Sequence, residues 1–151
     1  MTRNVNRVDH VAGLVRPENY EATIARFAEL FDTEFYGPIE RPEVGMRVVL
    51  SLDSGIELIT PLNDDPENPF NKMLAARGEH WISVVMGVKD VDASCDHLAR
   101  LGYKPMQRKS GLDGGDPYRG RLTRYDQAMY APGIFAGLSV ALCSADEREG
   151  G

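Results

Sequence analysis

The stretch HWISVVMGVKDV (80–91) decides the fold, because an earlier stretch, VNRVDHVAGLV (5–15) running on into Arg16-Pro17-Glu18, reads as its counterpart. Both are rich in β-branched residues, which suits a strand, and both end at a helix start. Setting Val88 on Val15 and Lys89 on Arg16 gives an offset of 73 residues, under which Ser83 corresponds to His10.

The elements that follow repeat as well. After Pro17, the residues Tyr20, Ile24, Phe27, Ala28 and Phe31 fall at helical spacing and predict a helix whose apolar stripe packs as core. Three strands are then expected: EFYGPI (34–39), GMRVVLSL (45–52) and GIELIT (55–60), the last two separated by the turn residues Asp53-Ser54. A polar linker, PLNDDPENP (61–69), leads into FNKMLAARG (70–78), a short helix stopped by Gly78. In the second half Asp90 is the expected N-cap of a helix carrying Val91, Cys95 and Leu98 on one face, and Gly102 ends it. YKPMQRK (103–109), RLTRYDQAMY (121–130) and GLSVALC (137–143) supply three more strands.

The chain therefore predicts an α+β fold built from a duplicated βαβββ module. At 151 residues it makes one domain: module one over about 5–60, linker and short helix over 61–78, module two over about 79–143, and a flexible tail over 144–151. A net charge of −6 argues against nucleic-acid or anionic-membrane partners, whose binders are basic. No apolar run is long enough to span a bilayer, and MTRNVNRVDH lacks the apolar stretch of a signal peptide. Cys95 and Cys143 have no metal-type spacing and read as buried thiols, so a cytoplasmic location is expected.

A βαβββ repeat with His10 in its first strand and Glu57 in its fourth resembles the vicinal oxygen chelate superfamily, which includes glyoxalase I, extradiol dioxygenases, bleomycin-resistance proteins and methylmalonyl-CoA epimerase. The look is nearest to the epimerase, through GIELITPL followed by LNDDPENPFNKMLAARGE. The resemblance spans roughly residues 5–143 and implies two paired modules around a cleft of curved mixed sheet, a small-molecule substrate and a homodimer. It also implies four metal ligands, from the first and last strand of each module. His10 and Glu57 match the first pair. The second-module histidine is expected five residues before the valine of the VKDV turn, where Ser83 stands. The last ligand, normally Glu, falls on Ala141, and Ser139 on the same face is no carboxylate.

Three functions stay open on these residues. His10 and Glu57 form a dyad in which the carboxylate orients the imidazole as general base for proton abstraction or lyase chemistry on a carbonyl compound or acyl-CoA. Arg121, Arg124, Tyr125 or Tyr130 would then steady the enolate oxygen. Alternatively, a local bulge brings His80 beside them and completes a two-His-one-carboxylate set for one divalent transition metal, the arrangement of non-heme iron oxygenases. In the third reading the lost ligands free the cleft for an apolar guest, as in a bleomycin-resistance-type binder. Trp81, expected on the face of Ser83, would line such a pocket. The glycine-rich SGLDGGDPYRGR (110–121) reads either as a mobile substrate loop, with Arg119, Arg121 and Arg124 receiving an anion, or as a solvated hairpin loop. His97 reads as surface.

Overall fold

The computed structural model describes residues 1–150 and shows the expected α+β fold of two βαβββ modules. Module one holds β1 (Arg7–Leu14), α1 (Pro17–Phe31), β2 (Tyr36–Arg41), β3 (Met46–Ser51) and β4 (Ile56–Pro61), and α2 (Pro69–Arg77) follows it. Module two holds β5 (His80–Gly87), α3 (Val91–Arg100), β6 (Gln107–Ser110), β7 (Leu122–Met129) and β8 (Val140–Glu147). Strand order is β2-β3-β4-β1 in the first and β5-β8-β7-β6 in the second. In each, the first and last strands pair in parallel and the remaining pairs run antiparallel.

Two boundaries differ from expectation. The chain forms two compact units, His10–Ile82 and a second that joins Met1–Asp9 to the residues from Ser83 onward. The N-terminal residues thus go with module two, because they bond to its last strand. That strand also runs on to Glu147, and Ser144 within it is fully buried, so the expected tail begins only at Arg148. Gly151, expected in that tail, lies outside the described residues.

The helices start and stop for local reasons. Pro17 opens α1 with its φ already helical, and Asp32 closes it in the left-handed conformation. Asn68 caps α2 by accepting from the Phe70 amide, and Asp90 caps α3 by accepting from Asp92 and Ala93. In α1 the expected stripe is only partly core. Tyr20 is buried and donates its hydroxyl to the Leu58 carbonyl, Ile24 and Phe27 are half-buried against Val15, Val49 and Leu58, and Phe31 is 61% exposed. Phe31 is the last helical residue, with its ring centroid 5.7 Å from that of Phe27.

In module two, α3 covers one sheet face through Val91, Cys95, Ala128, Tyr130 and Leu142. On the other face, Tyr118 stands edge-on to Tyr125 with ring centroids 5.6 Å apart, and both are buried. Gly111 passes under this pair: a Cβ there would lie 1.7 Å from the Tyr125 ring. Gly111→Ala is therefore expected to destabilise the fold by about 1–3 kcal/mol, the usual cost of overpacking a core. Urea unfolding checks this, and an unchanged midpoint would show that Tyr125 gives way freely.

Candidate active site

The parallel pairing of β1 with β4 builds the site in module one. Ala12 stands opposite Glu57, so their side chains share a face, and His10, two residues earlier, shares it too. His10 Nε2 lies 3.5 Å from Glu57 Oε2. The imidazole is 1% exposed and the carboxylate 18% exposed. Around them lies an apolar floor of Ala12, Val48 and Ile59, with Leu74, Phe70 and Ile82 packed against it, and Leu50 pairs with Glu57 from β3. This is a carboxylate with partial solvent access and a buried histidine behind it.

Module two repeats the backbone and not the chemistry. The pairs Val11–Ile56, Ala12–Glu57, Gly13–Leu58 and Leu14–Ile59 recur as Val84–Val140, Val85–Ala141, Met86–Leu142 and Gly87–Cys143. Flanking bonds match as well: Val11 N to Gly55 O and Val15 N to Ile59 O answer to Val84 N to Ser139 O and Val88 N to Cys143 O. Ser83 and Ala141 therefore occupy the positions of His10 and Glu57. Ala141 is buried and Ser83 and Ser139 are half-buried.

Other expected site residues fall elsewhere. His80 Nδ1 lies 2.7 Å from the Gly78 carbonyl, and His80 does not join His10 and Glu57 in a group whose ligand atoms all lie within 4.8 Å of one another. Trp81 lies over Gly13 and meets Phe27 edge-on at 6.4 Å, which puts it beside α1, on the face opposite His10 and Glu57, and 55% exposed. Its indole takes the space that Gly13 leaves open, while the next residue, Ile82, packs on the floor of the site. The expectation that Trp81 lines a pocket on the site face is corrected accordingly.

Tyr130 is on the α3 side, where burial and its contact with Cys95 push its hydroxyl up to about 12. Arg124 lies on that side too, held by both oxygens of Asp146 (2.8 and 3.2 Å) and donating to Lys89 O. Arg121 pairs with Glu147 at 3.1 Å. Arg119 is exposed, in left-handed backbone. Loop 110–121 is fastened: Asp116 accepts from the Tyr118 and Gly120 amides, and the Gly111 amide donates to Tyr125 O. Two features were missed from sequence: Tyr118 as the anchor of this loop, and Arg3, which pairs with Asp9 and Glu147. Neither sits in a periodic pattern that would have signalled it. His97 is exposed, as read, and edges a cavity of about 420 Å³ on α3 that holds none of the expected site residues.

The superfamily's metal can be tested against this donor set. Two ligands of a tetrahedral ion at about 2.1 Å stand roughly 3.4 Å apart, so His10 and Glu57 would fit as half a site. Catalytic sites offer three protein ligands, and the counterparts here are one hydroxyl and one methyl. The residues expected to bind a metal do not fit a tightly held one. Protein desalted without chelator is expected to carry well under one equivalent of zinc, iron or manganese, with a melting temperature indifferent to EDTA. Near-stoichiometric metal on elemental analysis would overturn this.

Asp146 gives a pH prediction. The Thr2 hydroxyl and then Arg124 hold its carboxyl below the usual range. A depressed folded pKa stabilises fully above the unfolded value near 3.9, and that contribution disappears as pH falls through the folded value. The stability gap between wild type and Asp146→Asn is thus expected to be widest at neutral pH and to close below about pH 4. Urea midpoints across pH 2–7 read it; a gap that widens in acid contradicts it.

Comparison with known proteins agrees with this fold. A family model described as the Glyoxalase/Bleomycin resistance protein/Dioxygenase superfamily matches residues 9–118. Among curated proteins, none matches the sequence. Among solved structures, methylmalonyl-CoA epimerase from Mycobacterium tuberculosis is similar at 20% identity and a TM-score of 0.71, over 93% of this chain and 88% of that one. A hypothetical protein from Bacillus halodurans is similar at 19% identity and 0.72, over 96% and 98%. A variant of the Streptomyces coelicolor epimerase, in complex with 2-nitronate-propionyl-CoA, is similar at 19% identity and 0.70, over 92% and 94%. At such identities the likeness concerns the fold.

Proposed function

This chain belongs to the superfamily whose model it matches, and on that premise we propose that it is an epimerase- or lyase-like enzyme acting on a small carbonyl compound or acyl-CoA, with Glu57 as the base. The observation that carries this reading is the His10–Glu57 pair, 3.5 Å apart, in which the carboxylate is the accessible partner and the imidazole the buried one. That exposure reverses the roles expected from sequence. Glu57 meets the substrate, and His10 positions it from behind. The 3.5 Å separation is longer than a full hydrogen bond, and catalytic pairs of this kind tighten once substrate is bound.

In the proposed step a Glu57 oxygen takes the proton next to the carbonyl. The C–H electron pair moves into the enolate. Glu57 then returns its proton to the same face, or water delivers one to the opposite face and inverts the carbon while Glu57 gives its proton to the hydroxide left behind. The apolar floor beside the carboxylate leaves little room for competing water once substrate covers it. Arg121, Arg124 and Tyr130, engaged in ion pairs or buried on the α3 side, are not the enolate's donors. An acyl-CoA is the first substrate class to try, since the Streptomyces epimerase with this fold holds 2-nitronate-propionyl-CoA.

The test is deuterium exchange at the α-carbon across a panel of acyl-CoA thioesters, 2-oxo compounds and hemithioacetals. Glu57→Gln is expected to cut exchange by at least about 100-fold, within the usual worth of a general base, and His10→Ala by a smaller factor. Exchange unchanged in Glu57→Gln removes the carboxylate from the mechanism. No exchange with any member, joined to tight retention of an apolar guest that ignores both substitutions, would make the protein a binder. Buried free thiols at Cys95 and Cys143 suit a reducing compartment such as the cytoplasm, and no helix is long and apolar enough to cross a membrane. A homodimer would have apolar surface to use at Phe31 and Trp81.

A further inference from the structure

The N-terminal residues Thr2–Asn6 take the place of a strand that ends early. β5 pairs with β8 only as far as Gly87–Cys143. Beyond that point Thr2 bridges Asp146 in antiparallel sense, Arg3 N donates to Ala145 O, and Asn6 N donates to Gly87 O. Along β8, Leu142 packs with α3, Ser144 Oγ accepts from Val91 N, and Asp146 pairs with Arg124. These three alternate with Cys143, Ala145 and Glu147, which therefore share the opposite face with Ala141.

The side chains of the segment divide between the two faces in the same way. Thr2 Oγ1 donates to Asp146 at 2.6 Å on the α3 side. Arg3 reaches Glu147 at 3.0 Å and Asp9 at 3.3 Å on the side of Ala141, and Asn4 donates to Asp9. Asn4 also fills the space over Gly87, where a Cβ would lie 2.0 Å from its carbonyl oxygen. Cys143 and Ala145, both small, are each 1% exposed in this setting. Module two's counterpart of the face that carries His10 and Glu57 is thus shielded by a segment of its own chain.

The attachment is of a kind that opens. The backbone and Thr2 fastenings are hydrogen bonds that water can replace, the buried Arg3–Asp9 pair is the strongest hold, and Val5, the apolar residue within the segment, is left exposed. Asn4 and Asn6 both adopt left-handed backbone, which a non-glycine residue adopts at a cost. Segments with exchangeable polar bonds and little apolar burial open locally, below the free energy of global unfolding.

We propose that Thr2–Asn6 is a releasable strap, and that its local opening controls access to the module-two face bearing Ala141 and Cys143. Two thiols report on it. Cys143 pairs with Gly87, the residue that Asn4 covers, and its thiol lies within 4.8 Å of the Asp9 carboxylate that Arg3 and Asn4 hold. Cys95 sits on the inner face of α3 and is released only by disrupting that helix. With an aromatic disulfide reagent under native conditions, Cys143 is expected to react at least about 100-fold faster than Cys95. The substitution Thr2→Val is expected to raise the ratio of the Cys143 rate to the Cys95 rate a further several-fold, with a modest fall in melting temperature as Asp146 loses the Thr2 hydroxyl. Peptide mapping assigns the labelled thiol. Equal rates for the two cysteines, rising together in the variant, would overturn the proposal. Hydrogen exchange on the wild type keeps the test open should the variant fail to fold. The Arg3 and Asn6 amides are expected to exchange well ahead of Val84 and Val88, which donate to β8 and its lead-in. Exchange of all four in one global event would overturn it equally.

Discussion

Parallel pairing of the first strand of each module with its last is the constraint on which everything else depends. Such a pairing cannot be closed by a hairpin and forces the chain through a helix and two further strands before it returns. It also fixes which residues meet. A one-residue slip between β1 and β4 would turn Glu57 to the α1 side, where Leu58 and Tyr20 already pack. The bond from the Tyr20 hydroxyl to the Leu58 carbonyl ties the helix to the strand one residue past the carboxylate, so α1 helps to hold the register of the site.

The two modules share a backbone register and differ in the side chains set on it. Four consecutive residue pairs and their two flanking amide bonds recur between the modules, while the groups they present do not. A register is maintained by hydrogen bonds that any residue except proline can make, so it persists when the side chains on it change. In module two, other groups take the face that carries Ser83 and Ala141. Tyr118 and Tyr125, Arg3 with its two acids, and the backbone of Asn4 fill that face. Protein interiors leave few voids, and on this face the space is taken by two aromatic rings and an ion-pair cluster.

What could be read from the chain follows the same division. The modules, the caps at Asp90 and Gly78, and the correspondence of Ser83 with His10 and Ala141 with Glu57 were legible, because they depend on period and local turn chemistry. The side of the sheet taken by Trp81 was not: it depends on the missing side chain at Gly13, a contact about 70 residues away in sequence that no local pattern announces. Arg121 and Arg124 read as anion receivers because their partners, Glu147 and Asp146, lie in a stretch that reads as tail. Once β8 is seen to continue through those acids, both arginines become structural.

The exposure of the dyad carries the functional argument furthest. Were the imidazole outward and the carboxylate behind it, the chemistry would be that of a histidine base with a carboxylate orienting it. The reverse holds, at 1% and 18% exposure. An imidazole can turn a ring N–H toward Glu57, while a carboxylate offers only lone pairs. The outward member of the pair is thus the acceptor and the enclosed member the potential donor, and the register of β1 on β4 sets that order.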